Sequence, residues 1–122
     1  MFNGDFYPTP QPVIDMMLQN FDPTDKVILE PSAGSGNLVK ALQEAGVKEV
    51  IGCENDPELK KISATYCRLI GSDFLDVTSE QISHIDAIVM NPPFSKGADH
   101  ILHAYNIAPP GCKVIALCNA ET

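Results

Sequence analysis

The residues of this 122-residue chain best suited to chemistry are Asn91-Pro92-Pro93-Phe94. Asn91 brings an amide oxygen that accepts hydrogen bonds. The Pro92 carbonyl stays free because Pro93 has no N–H to compete locally. Two acceptors beside the Phe94 ring make a site for a flat molecule that bears an amino group. The run before them, Ile85-Asp86-Ala87-Ile88-Val89-Met90, is apolar from Ile85 to Val89 apart from Asp86 and reads as a buried parallel strand. Paired prolines cannot donate to a ladder, so the strand ends there and hands Asn91 to a loop. Taken alone, Asn-Pro also starts ordinary turns.

A second constellation is Glu30-Pro31-Ser32-Ala33-Gly34-Ser35-Gly36-Asn37-Leu38. Its glycines permit close approach of a ligand to the backbone. In the dinucleotide fingerprint a third Gly or Ala packs helix on strand, but Val39 stands at that position, and Glu30 would repel a pyrophosphate. A ligand with positive charge near Glu30 fits better. Glu54 follows Gly34 by 20 residues, the spacing at which an acid takes a ribose diol, and Asn55 follows it. Asp73-Phe74 adds an acid and a ring behind a third strand. Any one of these acids could be a helix cap or a solvated loop residue; the reading rests on their order, each behind its own strand.

The elements that must position them alternate. Thr9 suits an N-cap with Pro10 as the first helical residue, ahead of Val13, Ile14, Met17, Leu18 and Phe21 at helical spacing. Strands are expected at Lys26–Leu29, Glu49–Glu54, Arg68–Gly71, Ile85–Val89 and Lys113–Leu117. Between them lie helices with inner faces at Leu38, Leu42 and Ala45, then Leu59, Ile62 and Tyr66, then Ala98, Ile101, Leu102 and Tyr105. Gly46 stops the first of these, Asp56 with Pro57 starts the second, and Thr78-Ser79-Glu80-Gln81 fits a capping box. Such alternation implies right-handed crossovers and a mostly parallel sheet covered on both faces, with ligands beyond the carboxyl ends of the strands.

The length suits one domain, residues 1–122, with an N-terminal segment and the helix it precedes at 6–21 and the sheet with its helices at 26–122. No run approaches a membrane span, and Met1–Asp5 lacks the pattern of a signal peptide. Cys53, Cys67, Cys112 and Cys118 show no Cys-x-x-Cys spacing, so a reduced, cytoplasmic protein is expected. His100 and His103 share a helix face beside Asp99 without a third ligand; a solvated face and no metal are expected. The net charge of −8 repels polyanions, which places any DNA affinity in a basic region supplied by other residues or another chain.

The Asn91-Pro92-Pro93-Phe94 loop, the glycine segment and the strand-end acids together resemble the S-adenosylmethionine-dependent amino-methyltransferases, in the form found in adenine-specific DNA methyltransferases of restriction-modification systems. The resemblance runs from Phe6 to Asn119. It implies a three-layer, Rossmann-like methyltransferase fold and S-adenosylmethionine as cofactor. Glu30, Ser32, Ala33, Gly34 and Gly36 would then meet the methionine end, Glu54 and Asn55 the ribose, and Asp73 and Phe74 the adenine, the carboxylate on its amine and the ring on its face. Tyr7, Thr9 and Pro10 would close over the methionine portion. Asn91 and Pro92 would accept from the target amine and Phe94 would stack on a flipped base, with Pro93 in contact; no metal is required.

Only 18 residues separate Asp73 from Asn91, so no recognition domain is inserted there. The related fold adds two further strands and a target-recognition region, which are expected to be missing here after strand five, leaving an edge that favours self-association or a partner subunit. RNA bases or a protein glutamine are alternative acceptors. A cofactor-binding subunit without catalysis is an alternative of another class, and a nucleotide-dependent dehydrogenase is a distant third.

Overall fold

The computed structural model describes residues 9–34, 36–92 and 97–117. Five strands, β1 (Val27–Glu30), β2 (Glu49–Cys53), β3 (Arg68–Gly71), β4 (Ala87–Met90) and β5 (Lys113–Ala116), form one sheet in the order β3-β2-β1-β4-β5. All four pairings are parallel, so every carboxyl end lies on one rim. The order reverses between β1 and β4, which opens a crevice at their tips. β3 and β5 are the edges.

Helices α1 (Gln11–Met17) and α2 (Asn37–Glu44) serve the core on one face, where Ile14, Leu38, Val39 and Leu42 meet Ile28, Val50 and Val89. The other face carries α4 (Gly97–Ile107) and two 3-10 turns, Phe74–Asp76 and Ser79–Ile82, over Leu29, Ile51, Ile88 and Met90. The three inner strands are short apolar runs buried on both faces, β4 completely so, as parallel strands between helical layers must be, while the edge strands β3 and β5 are half-buried to exposed. Helix α3 (Pro57–Ser63) starts as expected: Asp56 Oδ1 accepts from the Glu58 and Leu59 N–H groups, satisfying two of the orphan donors of the first turn. The Thr78 N–H donates to Gln81 Oε1 at 2.9 Å, half of the capping box. No helix among the described residues is long and apolar enough to cross a membrane.

Several expectations are corrected. Helix α1 ends at Met17, short of Phe21, and its N-cap is Pro10, with no side-chain cap; the Thr9 hydroxyl is turned elsewhere. β4 begins at Ala87, because the side chain of Asp86 accepts from Val27 N–H at 2.8 Å and closes the lower end of the β1–β4 pair. The inner face of α3 is Leu59 and Ser63, with Ile62 and Tyr66 half-buried. Helix α4 is rotated from the face its large apolar residues suggest: Leu102 and Tyr105 are exposed, while His100, Ala104 and Ile107 are buried. The histidine face is therefore not solvated. The rings of His100 and His103 lie 5.5 and 5.0 Å from that of Phe74, and His103 Nε2 sits 2.8 Å from the Val77 carbonyl.

Of the cysteines, Cys53 is buried in β2, while Cys67 and Cys112 are half-buried and free. Burial pushes the Cys53 thiol up to about 12 and that of Cys67 up to about 11, so both stay protonated and act as small apolar side chains. No cluster of metal-ligating side chains occurs among the described residues.

Two glycines are structural requirements. Gly52, paired with Glu30, would bring a Cβ to 3.2 Å from Ala33 Cβ, Cys67 Sγ and the Glu30 carbonyl oxygen. Gly36 has φ +99 and a Cβ there would lie 2.6 Å from the Tyr66 ring. Gly36→Ala is expected to lower unfolding free energy by about 1–3 kcal/mol in urea titrations, combining a left-handed penalty with the clash. In a Tyr66→Ala background the clash disappears and a smaller penalty of about 1 kcal/mol should persist.

Candidate active site

The row of strand tips determines the site. Reading across the sheet as β3-β2-β1-β4, the residues at or just past the carboxyl ends are Asp73, Glu54, Glu30 and Asn91. Adjacent parallel strands lie about 4.8 Å apart, so the row spans roughly 14 Å. Residues far apart in sequence thus form one line of polar groups above an apolar sheet.

Glu30 is its centre. The side chain is 1% exposed, and Oε2 accepts the Ser32 N–H at 2.5 Å. The Asn91 backbone N–H is a further donor to this carboxylate. These two bonds join the tip of β1, the start of the glycine loop and the residue after β4. Burial nonetheless dominates: loss of hydration, with the Glu54 charge adding to it, pushes the Glu30 carboxyl up to about 8, against the pull of its two N–H partners. A cation brought beside it would restore the carboxylate.

The glycine loop is gripped from the β2 side. Glu54, 7% exposed, accepts the Gly34 N–H on Oε1 at 2.8 Å and the Asp56 N–H on Oε2 at 3.0 Å. Ser63 Oγ donates to the Gly34 carbonyl at 2.5 Å, so both sides of the Gly34 residue are held. The Ala33 N–H donates to the Cys53 carbonyl and Gly36 N–H to the Ala33 carbonyl. Tyr66 packs against Gly36, and Lys40 Nζ stands 4.7 Å from the centre of its ring. Each Glu54 oxygen has one backbone partner, which leaves lone pairs on both for a diol. Asn55 is exposed between the two buried acids, Ser32 is half-buried and Ala33 is buried.

The remaining candidates divide. Asp73 is half-buried and caps the turn after β3, its Oδ1 accepting the Leu75 N–H at 2.9 Å. Phe74 is 1% exposed, so its ring serves the core; stacking on a ligand would require it to leave His100 and His103. Asn91 Nδ2 donates to Thr9 Oγ1 at 3.0 Å, which brings the N-terminal segment to the crevice. Pro92 is buried directly after Asn91, and Pro10 is exposed. Tyr7, Pro93 and Phe94 lie outside the described residues. A shallow cavity of about 300 Å³ beside Glu49, Tyr66 and Arg68 lies at the amino ends of β2 and β3, away from this row.

Sequence reasoning missed Ser63 and Gly52. A serine at an inner helical position, four residues after Leu59, was the available signal for the first; a glycine inside a strand run was the signal for the second.

The N-6 DNA methylase family model matches residues 2–106. No curated protein matches the sequence significantly. Among solved structures, a protein assigned as an RNA methyltransferase from Pyrococcus horikoshii is 25% identical with a TM-score of 0.73, over 94% of this chain and 64% of that one. An RNA methyltransferase from Salinibacter ruber, solved with S-adenosyl-L-homocysteine, is 22% identical with a TM-score of 0.73, over 90% and 76%. A protein assigned as the modification subunit of a type I restriction enzyme from Vibrio vulnificus is 21% identical with a TM-score of 0.60, over 75% of this chain and 24% of that subunit. The chain thus spans 64% of the Pyrococcus protein and a quarter of the Vibrio subunit. The sheet and its helices have the Rossmann-like fold of S-adenosylmethionine-dependent methyltransferases, and with the match over residues 2–106 the chain belongs to the N-6 DNA methylase family.

Proposed function

We propose that this chain carries the cofactor site and catalytic loop of a methyltransferase acting on the exocyclic amine of adenine in DNA, with S-adenosylmethionine as methyl donor. The observation that carries the reading is the junction of Glu30 and Asn91 at the switch point of the sheet, next to a clamped glycine loop. The donor set suits that cofactor: a buried acid whose charge is restored by a cation, a second acid with lone pairs for a diol, and a row about as long as an extended nucleoside with an amino acid arm. Bound there, S-adenosylmethionine supplies an activated methyl group. Glu30 faces its ammonium end and Glu54 its ribose, with Asp73 at the adenine; Tyr7 and Pro10 belong to the same N-terminal segment.

The amine of adenine is a weak nucleophile because its lone pair is shared with the ring. Asn91 Oδ1 and the Pro92 carbonyl accept its N–H bonds and stabilise the positive charge that grows on nitrogen, while Phe94, beside Pro93, stacks on the extruded base. The charge of −8 gives this chain little attraction for DNA, so affinity comes from a basic region or a partner subunit outside it, in the cytoplasm.

The test is methyl transfer from labelled cofactor to separate pools of DNA, RNA and protein. Label in adenine of DNA supports the reading, label in RNA moves the chain toward the activity named for its Pyrococcus and Salinibacter relatives, and cofactor binding without transfer to any pool marks a non-catalytic subunit. Asn91→Ala is expected to lower kcat by about 100-fold or more while changing the cofactor Kd in calorimetry by less than about threefold.

Glu30 also sets a pH dependence. Its native pKa of about 8 lies above the unfolded value of 4.5, so the native state holds the extra proton between these limits and the free protein loses stability as pH rises through that window. Thermal melting from pH 5 to 8 should show this decline, and Glu30→Gln should flatten it. Cofactor binding at pH 7 should release close to one proton, read from calorimetry in buffers of different ionisation enthalpy, and Glu30→Gln should abolish the release.

A further inference from the structure

Ser63 lies on the inner face of α3 and is 1% exposed, an unusual place for a hydroxyl. Its Oγ stands 2.5 Å from the Gly34 carbonyl oxygen, 29 residues back in the chain. A carbonyl only accepts, so the direction of this bond is fixed and the Ser63 proton is committed to Gly34. On the other side of the same residue the Gly34 N–H, which can only donate, goes to Glu54 Oε1 at 2.8 Å.

Gly34 has φ +56, in the left-handed region, and a glycine is free to turn its flanking peptides in ways that other residues are not. The two bonds remove that freedom. Glu54 keeps a second anchor at the Asp56 N–H, so the acid stays in place if Gly34 moves. Three residues after Ser63 the Tyr66 ring packs against Gly36, and Gln43 of α2 donates to the Tyr66 carbonyl at 2.8 Å. The end of α3 thus backs the loop at both glycines.

We propose that Ser63 is a positioning residue for the amino acid arm of the cofactor: its hydroxyl holds the Gly34 peptide in the shape that this arm meets, and so sets affinity for the arm and not for the nucleoside. The proposal rests on the reading that the glycine loop seats the methionine end while Glu54, Asn55 and Asp73 take the nucleoside. Without the hydroxyl, a buried carbonyl loses its donor and Gly34 turns to find another. The loop must then be re-ordered whenever the arm binds, whereas the wild-type loop is ordered on folding.

Calorimetry on the full chain with two probes separates arm from nucleoside. S-adenosyl-L-homocysteine carries both; 5′-methylthioadenosine has the nucleoside and the sulfur without the amino acid. Ser63→Ala is expected to raise the Kd of the first by about 10-fold and that of the second by less than about twofold. Ser63→Cys keeps a weaker donor of similar shape and should fall between wild type and alanine for the first probe while leaving the second unchanged. It also carries the comparison with wild type if the alanine variant does not fold.

Equal losses for both probes would overturn the proposal and make Ser63 a residue of the fold alone. So would a Kd for S-adenosyl-L-homocysteine indifferent to Ser63→Ala, or a cysteine variant no better than alanine. Those results leave the functional reading intact, because the wild-type chain still binds the product form of the cofactor. A wild-type chain that binds neither probe would sink that reading and this proposal with it.

Discussion

A carboxyl group without water holds this molecule's working rim together. Glu30 sits at the end of a central strand, where burial makes its charge costly, and the bonds that offset this cost are N–H groups from the glycine loop and from the residue after β4. An acid at the same position in solvent would bind nothing in particular. Desolvation makes Glu30 selective for whatever can compensate it, and so it joins three segments that share no sequence neighbourhood.

The second acid works by a different balance. Glu54 spends one bond from each oxygen on backbone N–H groups, at Gly34 and Asp56, and so ties the end of β2 to the glycine loop and the start of α3. Ser63 completes the hold from inside α3. The loop therefore owes its shape to the neighbouring strand and helix as much as to its own glycines. A rigid loop of this kind presents its backbone without first having to order it, which reduces the entropy lost when something binds.

The alternation of strands and helices was legible because β1 to β4 are short apolar runs that lead into an acid, a glycine or a proline, and because turn residues separate the strands from the helices. Asp56-Pro57 and Gly46 fell where expected. The acids were legible because parallel topology forces all strand ends onto one rim; order in sequence then translates into order in space. The rotation of α4 was not legible. Leu102 and Tyr105 are far larger than Ala104 and carry more apolar surface to bury, yet the small side chain and the two histidines fit over Phe74, and that fit exists only after the 3-10 turn at Phe74–Asp76 is in place. Thr9 illustrates the same limit: a hydroxyl before a proline suggests a local cap, and only the folded chain shows it facing Asn91.

The join between β1 and β4 is the thinnest in the sheet. Its register holds two residue pairs, Ile28 with Ala87 and Leu29 with Ile88, whereas the β1–β2 and β4–β5 joins each hold four. The segment through β3 and the segment from β4 onward meet along this seam. Because the crevice lies at the top of that seam, a molecule bridging Glu30 and Asn91 would act as a clasp, so that occupancy and resistance to unzipping rise together.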